Sequence, residues 1–208
     1  MTTILTSTLP ARPETAPAPE YAPRIAIADP AALGLGAFAL TTFVLSLANS
    51  GLIPSAGAAV IGLALFYGGI AQFAAGMWEF VKGNTFGATA FTSYGAFWLA
   101  FWWLLTHPET EAAAGADGIG AFLLAWTIFT VFMTIAALKT NRMLVALFAA
   151  ATLTFLALTV GSFTGIVGVH QLGGWIGLVT AGIAWYGSFA VVTNTTWKRT
   201  VLPLGHLR

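Results

Sequence analysis

Six apolar runs follow one another along this chain, at 32–52, 56–80, 85–106, 118–138, 143–163 and 172–193. Each is close to the ~20 residues that a helix needs to cross the hydrocarbon of a bilayer. Backbone amides in lipid must bond within their own segment or around a closed barrel. The alternating pattern of a barrel strand is absent. Only 7% of the 208 residues are charged and 58% are hydrophobic, whereas an ordinary soluble domain is about 25% charged. The runs predict an all-α integral membrane protein with six transmembrane helices per protomer.

Basic residues orient the bundle. Arg12 and Arg24 precede the first run, and Lys82 lies between the second and third. Lys139 and Arg142 lie between the fourth and fifth, and Lys198, Arg199 and Arg208 follow the sixth. The other three connections hold no Lys or Arg, and the one after run three is acidic, with Glu109, Glu111 and Asp117. Every second connection is basic, so both termini are expected in the cytoplasm of a multi-pass plasma (inner) membrane protein. Residues 1–29 carry Pro10, Pro13, Pro17, Pro19 and Pro23 and read as a disordered cytoplasmic tail. They contain no apolar stretch of the signal-peptide kind. Residues 30–197 form the expected membrane domain and 198–208 a cytoplasmic C-terminal tail.

Several chemistries are disfavoured at once. There are no cysteines, hence no disulfide, thiolate metal site or Cys nucleophile. His107, His170 and His206 are too far apart to suggest a metal site. No Ser/His, His/Asp or Cys constellation suits an enzyme. A net charge of +1 suggests no nucleic-acid partner. No metal or cofactor is expected.

Helical spacing sorts the polar residues into stripes. Phe38, Thr42 and Asn49 share a face of run one, and Gly69, Gln72, Gly76 and Glu79 a face of run two. In run three Thr85, Thr89 and Thr92 align, while Tyr94 falls opposite them with Gly87 and Phe91. Thr127, Thr130 and Thr134 mark run four, Thr152, Phe155 and Thr159 run five, and Thr180, Ala184 and Gly187 run six. Such hydroxyls can bond their own helix carbonyls or tie helices together. Together, the stripes are expected to surround a path for a small polar solute, with Thr89, Ser93 and Tyr94 along it. A straight helix cannot turn the Thr stripe and Tyr94 to one lumen. Glu79, the one ionisable residue within a run, suits either a salt bridge with Lys82 or a proton-sensitive group at the inner mouth. Asn84 and Thr85 fit the N-cap of run three, and Gln72 is placed to touch solute. Gly173-x-x-x-Gly177 forms a small-residue ridge that suits close helix packing or an oligomer seam.

The segment FYGGIAQFAAGMWEFVKGNTFGATAFTSYGAFW, Phe66 to Trp98, resembles the acetate uptake transporter family, the succinate–acetate permease group. DPAALGLGAF, Asp29 to Phe38, resembles that family's Asn-Pro-Ala-Pro-Leu-Gly-Leu signature, with Asp29 for Asn and Ala32 for Pro. GWIGL at 174–178 and RTVLPLG at 199–205 resemble its last span and tail. The resemblance implies a six-helix protomer assembled as a homo-oligomeric ring, usually a hexamer, with one pathway in each protomer. It implies proton-linked uptake of acetate and sometimes succinate. It also implies a constriction of a Phe, a Tyr and a Leu, which fall on Phe38, Tyr94 and, with a departure, Ala151.

The expected solute is thus acetate or a related small carboxylate. Its pathway would run past Phe38, Thr42, Gln72, Thr89, Ser93, Tyr94 and Ala151, with Asp29, Glu79, Asn84 and Thr85 at the inner mouth. An aromatic neck passes a neutral acid more cheaply than a bare anion, because desolvating a carboxylate is costly. The rival reading is a channel for ammonia, ammonium or another small neutral solute.

Overall fold

The computed structural model describes residues 27–205. Most of the expected N-terminal tail, and residues 206–208, lie outside the described part. Among the described residues the long elements are six helices: α1 Ala31–Asn49, α2 Ala56–Lys82, α3 Thr85–Thr106, α4 Pro108–Ala137, α5 Arg142–Thr164 and α6 Val167–Thr196.

Local chemistry sets their ends. Asp29 Oδ1 accepts the Ala31 N–H at 3.0 Å and starts α1. Gly83, at φ +77°, closes α2 in the left-handed conformation. One residue later Asn84 Oδ1 accepts the Gly87 N–H at 3.1 Å and opens α3. Asn141 opens α5 in the same way, on the Leu144 N–H at 2.9 Å. Loss of such a cap costs about 1 kcal/mol, so Asn84→Ala should lower the thermal midpoint of the purified protein in detergent by a few degrees. An unchanged midpoint would show that the α2–α3 turn is held by other contacts.

Two helices extend beyond their apolar runs. α4 begins at Pro108 and bends at Gly115, whose φ is +58°. The predicted run from 118 is the portion after that bend. α6 begins at Val167 and continues to Thr196. Hydropathy marks the lipid-facing part of a helix, whereas caps and breakers mark its ends. α2 also contains a stretch of π-helix at Phe66–Ala71. Among the described residues five helices are long and apolar enough to cross a membrane. The sixth, α3, has 22 residues but is made more polar by its Thr, Ser and Tyr.

The helices touch in a closed circuit: α1 on α2, α2 on α3, α3 on α4, α4 on α5, α5 on α6, and α6 back on α1. Close approach depends on glycine. A Cβ on Gly174 would land on the backbone nitrogen of Ser50, with the Asn49 carbonyl carbon 2.5 Å away. A Cβ on Gly76 would land on Thr92. The Gly173/Gly177 ridge is buried and packs inside the protomer, against Leu158, Ser46 and Thr154.

Candidate functional site

Two cavities lie within the ring of helices. One, of about 200 Å³, is bordered at one end by Asp29, Lys82, Asn84 and Asn141, and deeper by Gln72, Phe38, Tyr94, Phe148 and Ala151. We call this the basic end. The other cavity, of about 120 Å³, is lined by Phe38, Thr42, Asn49, Phe97, Trp98, Ala151, Phe155 and His170 among others. Phe38 and Ala151 border both.

Aromatic rings crowd the space between the cavities. Phe38 meets Tyr94 edge to face at 5.6 Å. Tyr94 stacks on Phe155 at 6.4 Å and lies beside Phe148 at 6.2 Å. Phe129 and Trp126 back it at 5.4 and 6.1 Å. The Tyr94 hydroxyl contacts Thr130 Oγ1 at 2.9 Å. Thr130 already donates its own proton to the Trp126 carbonyl at 2.7 Å, so the phenol is the donor of the pair. Its oxygen is therefore anchored on α4, and the pinch presents carbon.

Thr127, Thr130 and Thr134 of α4 and Thr152 and Thr159 of α5 border neither cavity, unlike the expectation that their stripes line the path, whereas Thr180 of α6 and Thr154 of α5 do border the second cavity. Thr127 meets Thr159 at 3.1 Å, Thr134 meets Thr152 at 2.9 Å, and Thr154 meets Thr180 at 3.1 Å. All six hydroxyls lie within reach of a carbonyl one turn back in their own helix. Since each has one proton, in each pair one threonine donates to its carbonyl while the other donates across to it. They link α4 to α5 and α5 to α6.

On α3, Gly87, Phe91 and Tyr94 face the first cavity, while Thr92 packs on Gly76 of α2. The conflict between the Thr stripe and Tyr94 resolves because α3 serves two neighbours at once. Thr89 and Ser93, expected along the path, are half-buried and border neither cavity. Thr85 is exposed and Glu79 is fully buried, and they too border neither. Gly87 makes room for Glu79, since a Cβ there would lie 2.9 Å from the Glu79 carboxyl carbon. Lys82 Nζ is 3.7 Å from Glu79 Oε2 and 2.7 Å from Asp29 Oδ1, so it joins α2 to the start of α1.

Gln72, Thr42, Asn84 and Asp29 do border the cavities. Gln72 is 1% and Thr42 8% exposed. Gln72 Oε1 and Thr42 Oγ1 have no hydrogen-bond partner among the described residues, nor does the indole nitrogen of Trp98. Buried polar atoms are normally paired. Here, unpaired ones occur on both sides of the aromatic pinch. Trp98, Leu147, His170 and Leu204 line the cavities without having stood out in the sequence. His170 held the one available signal, a polar side chain near an apolar run, and its Nε2 lies 3.4 Å from Asn49 Oδ1.

The model of the GPR1/FUN34/yaaH family matches residues 12–208. The succinate-acetate/proton symporter SatP of Escherichia coli K12 is 42% identical over 181 residues, which is 86% of this chain and 96% of that protein. Ammonia transport outward protein 2 of Saccharomyces cerevisiae is 43% identical over 194 residues, 88% of this chain but only 66% of the yeast protein. Acetate permease A of Emericella nidulans is 40% identical, and the match covers 86% of this chain and 66% of the permease. The solved structure of the bacterial acetate channel SatP matches with a TM-score of 0.83 at 42% identity, covering 86% of this chain and 100% of that one. This is an all-α, multi-pass membrane protein, and the chain belongs to the GPR1/FUN34/yaaH family, the acetate uptake transporters that its motifs resemble.

Proposed function

We propose that the protein carries acetate and related small carboxylates across the plasma membrane, accompanied by protons, through a pathway inside each protomer. The observation that carries this reading is the pair of cavities meeting at Phe38 and Ala151 with Tyr94 beside them. The bacterial and fungal relatives named for acetate support the substrate class. Six crossings with the basic end in the cytoplasm suit the positions of Lys82, Lys139, Arg142, Lys198 and Arg199. The family resemblance supports assembly as a homo-hexameric ring. A transporter rather than an enzyme is the corresponding reading of the whole chain.

The chemistry is that of weak binding and a dry neck. Gln72 and Thr42 supply polar groups that replace part of a carboxylate's hydration on either side. No Lys or Arg lies within the helices beside the aromatic pinch, so nothing there traps an anion. The pinch itself offers no hydrogen bond, and an undissociated acid passes it at lower cost than the ion.

Purified protein in liposomes, assayed with labelled acetate, tests the reading. Uptake should rise when the outside is made more acidic than the inside, and it should fall in Gln72→Ala. Electrogenic uptake insensitive to a pH gradient would remove the proton-linked part. One relative is named for ammonia, so ammonium is the informative competitor. Flux of ammonia without any of acetate would favour that rival instead.

A further inference from the structure

The end of α6 is turned back on itself. Lys198 adopts the left-handed conformation at φ +52°. Its N–H donates to the Thr195 carbonyl at 3.3 Å, and the Arg199 N–H donates to the Asn194 carbonyl at 3.2 Å. Those two bonds form the closing motif of a helix, and the chain then returns along α6. A single side chain grips it. Asn194 Oδ1 accepts from the Val201 and Leu202 N–H groups at 2.7 and 3.0 Å, and its Nδ2 donates to the Leu202 carbonyl at 2.8 Å. Tyr186 adds a hydroxyl bond to the Pro203 carbonyl at 2.7 Å.

The returning segment then crosses to α5. The Arg142 N–H donates to the Gly205 carbonyl at 2.7 Å and the Met143 N–H to that of Leu204 at 3.2 Å. These are amides that a helix start leaves without an internal partner. The result puts Leu204 into the wall of the cavity at the basic end, beside Met143, Leu144, Leu147 and Val191. The segment has no helix of its own, and Val201 and Pro203 are exposed. Segments with few buried contacts open locally at far less cost than global unfolding.

We propose that Val201–Gly205 is a movable wall of the cavity at the basic end, and that Asn194 is the positioning residue that holds it closed. With the wall shut, Leu204 narrows the cavity on the α5–α6 side. Asn194 makes three of the six hydrogen bonds that hold the segment, so its release lowers the cost of opening that side while the helices stay in place. The proposal uses the transport reading only in treating this cavity as the mouth of a solute pathway.

The chain contains no cysteine, so a single introduced thiol is a unique reporter. Full-length protein in nanodiscs would carry Leu147→Cys, deep in the cavity at the basic end, and react with a charged maleimide. Adding Asn194→Ala should speed the reaction on the order of tenfold or more, the factor expected when the net worth of three hydrogen bonds leaves the closed state. Leu204→Ala, which trims the wall but leaves the clamp, should speed it less. A reporter at Leu45, which lines the other cavity, introduced as Leu45→Cys, should be unaffected by either change. Unchanged Leu147→Cys rates in both variants would overturn the proposal, as would equal acceleration at Leu45→Cys, which marks general loosening. Labelling needs no solute, so failure of acetate flux in the parent protein would sink the transport reading and leave the wall still measurable.

Discussion

Gly174→Leu is expected to leave little or no folded protein in the membrane fraction, and the residue should be recovered as aggregate after detergent extraction. A side chain there enters the backbone of α1 at Asn49 and Ser50. Overpacking against movable side chains costs about 1–3 kcal/mol, but the clash here is with main chain at the C-terminal end of α1, where the Ser50 N–H is bonded to the Ser46 carbonyl at 2.9 Å, so the cost lies at or above the top of that range. α6 would have to leave α1, opening the circuit of helices at one of its seams. Gly182→Ala on the same helix is the control, because nothing lies within 4 Å of a Cβ there. It should fold normally and gain up to about 1 kcal/mol from helix propensity. Fluorescence-detected size-exclusion profiles of the two variants decide the matter. A monodisperse Gly174→Leu peak would mean that α1 and α6 are not pressed together as described.

The second large effect is expected at the pinch. Tyr94→Ala removes the ring that meets Phe38 and should merge the two cavities, so that liposomes become leaky to solutes larger than acetate. It should also destabilise the protein by about 3–5 kcal/mol, as for other large aromatic truncations in a core. Tyr94→Phe should transport within about twofold of the parent, because the hydroxyl it loses contributes only about 1 kcal/mol through a bond to α4. Ala151→Leu works in the opposite direction, adding bulk where both cavities are bordered. One methylene in an apolar site discriminates by about 10–200-fold, so propionate flux should fall relative to acetate in Ala151→Leu. If Tyr94→Phe abolished acetate flux while folding normally, the phenol would be a solute contact and the dry-neck account would be wrong.

The six apolar runs made the helices readable, since crossing hydrocarbon imposes a length and a composition that nothing else in the chain imitates. Asn84 was readable as a cap because an Asn between a Gly and a Thr-Phe start has few other uses. The stripes misled where one residue type has two uses. Thr127 and Thr159 look the same in sequence whether they face a lumen or each other, and only the juxtaposition of α4 and α5 decides. Thr89 and Ser93 share α3 with Tyr94, and helical spacing alone does not say which side faces inward. The aromatic cluster around Phe38 and Tyr94 came from motif resemblance, whereas the meeting of the cavities at Phe38 and Ala151 needs coordinates. Glu79 read as either a salt bridge with Lys82 or a proton-sensitive group at the inner mouth, and neither reading foresaw that Gly87 on α3 leaves a recess that encloses it. That kind of complementarity between distant glycines and side chains leaves no periodic trace.

The wide turn at Phe66–Ala71 lets a stripe of period four survive along α2. Ala56, Val60, Ala64, Gly68, Gln72 and Gly76 are all buried, each four residues from the next. In a regular α-helix such a series creeps around the axis by about 40° per step, and its far members would rotate out into lipid. The looser winding of a π-turn runs the other way and resets the creep midway. One extra residue per turn thus acts as a vernier, bringing Gln72 back into alignment with the small residues above it.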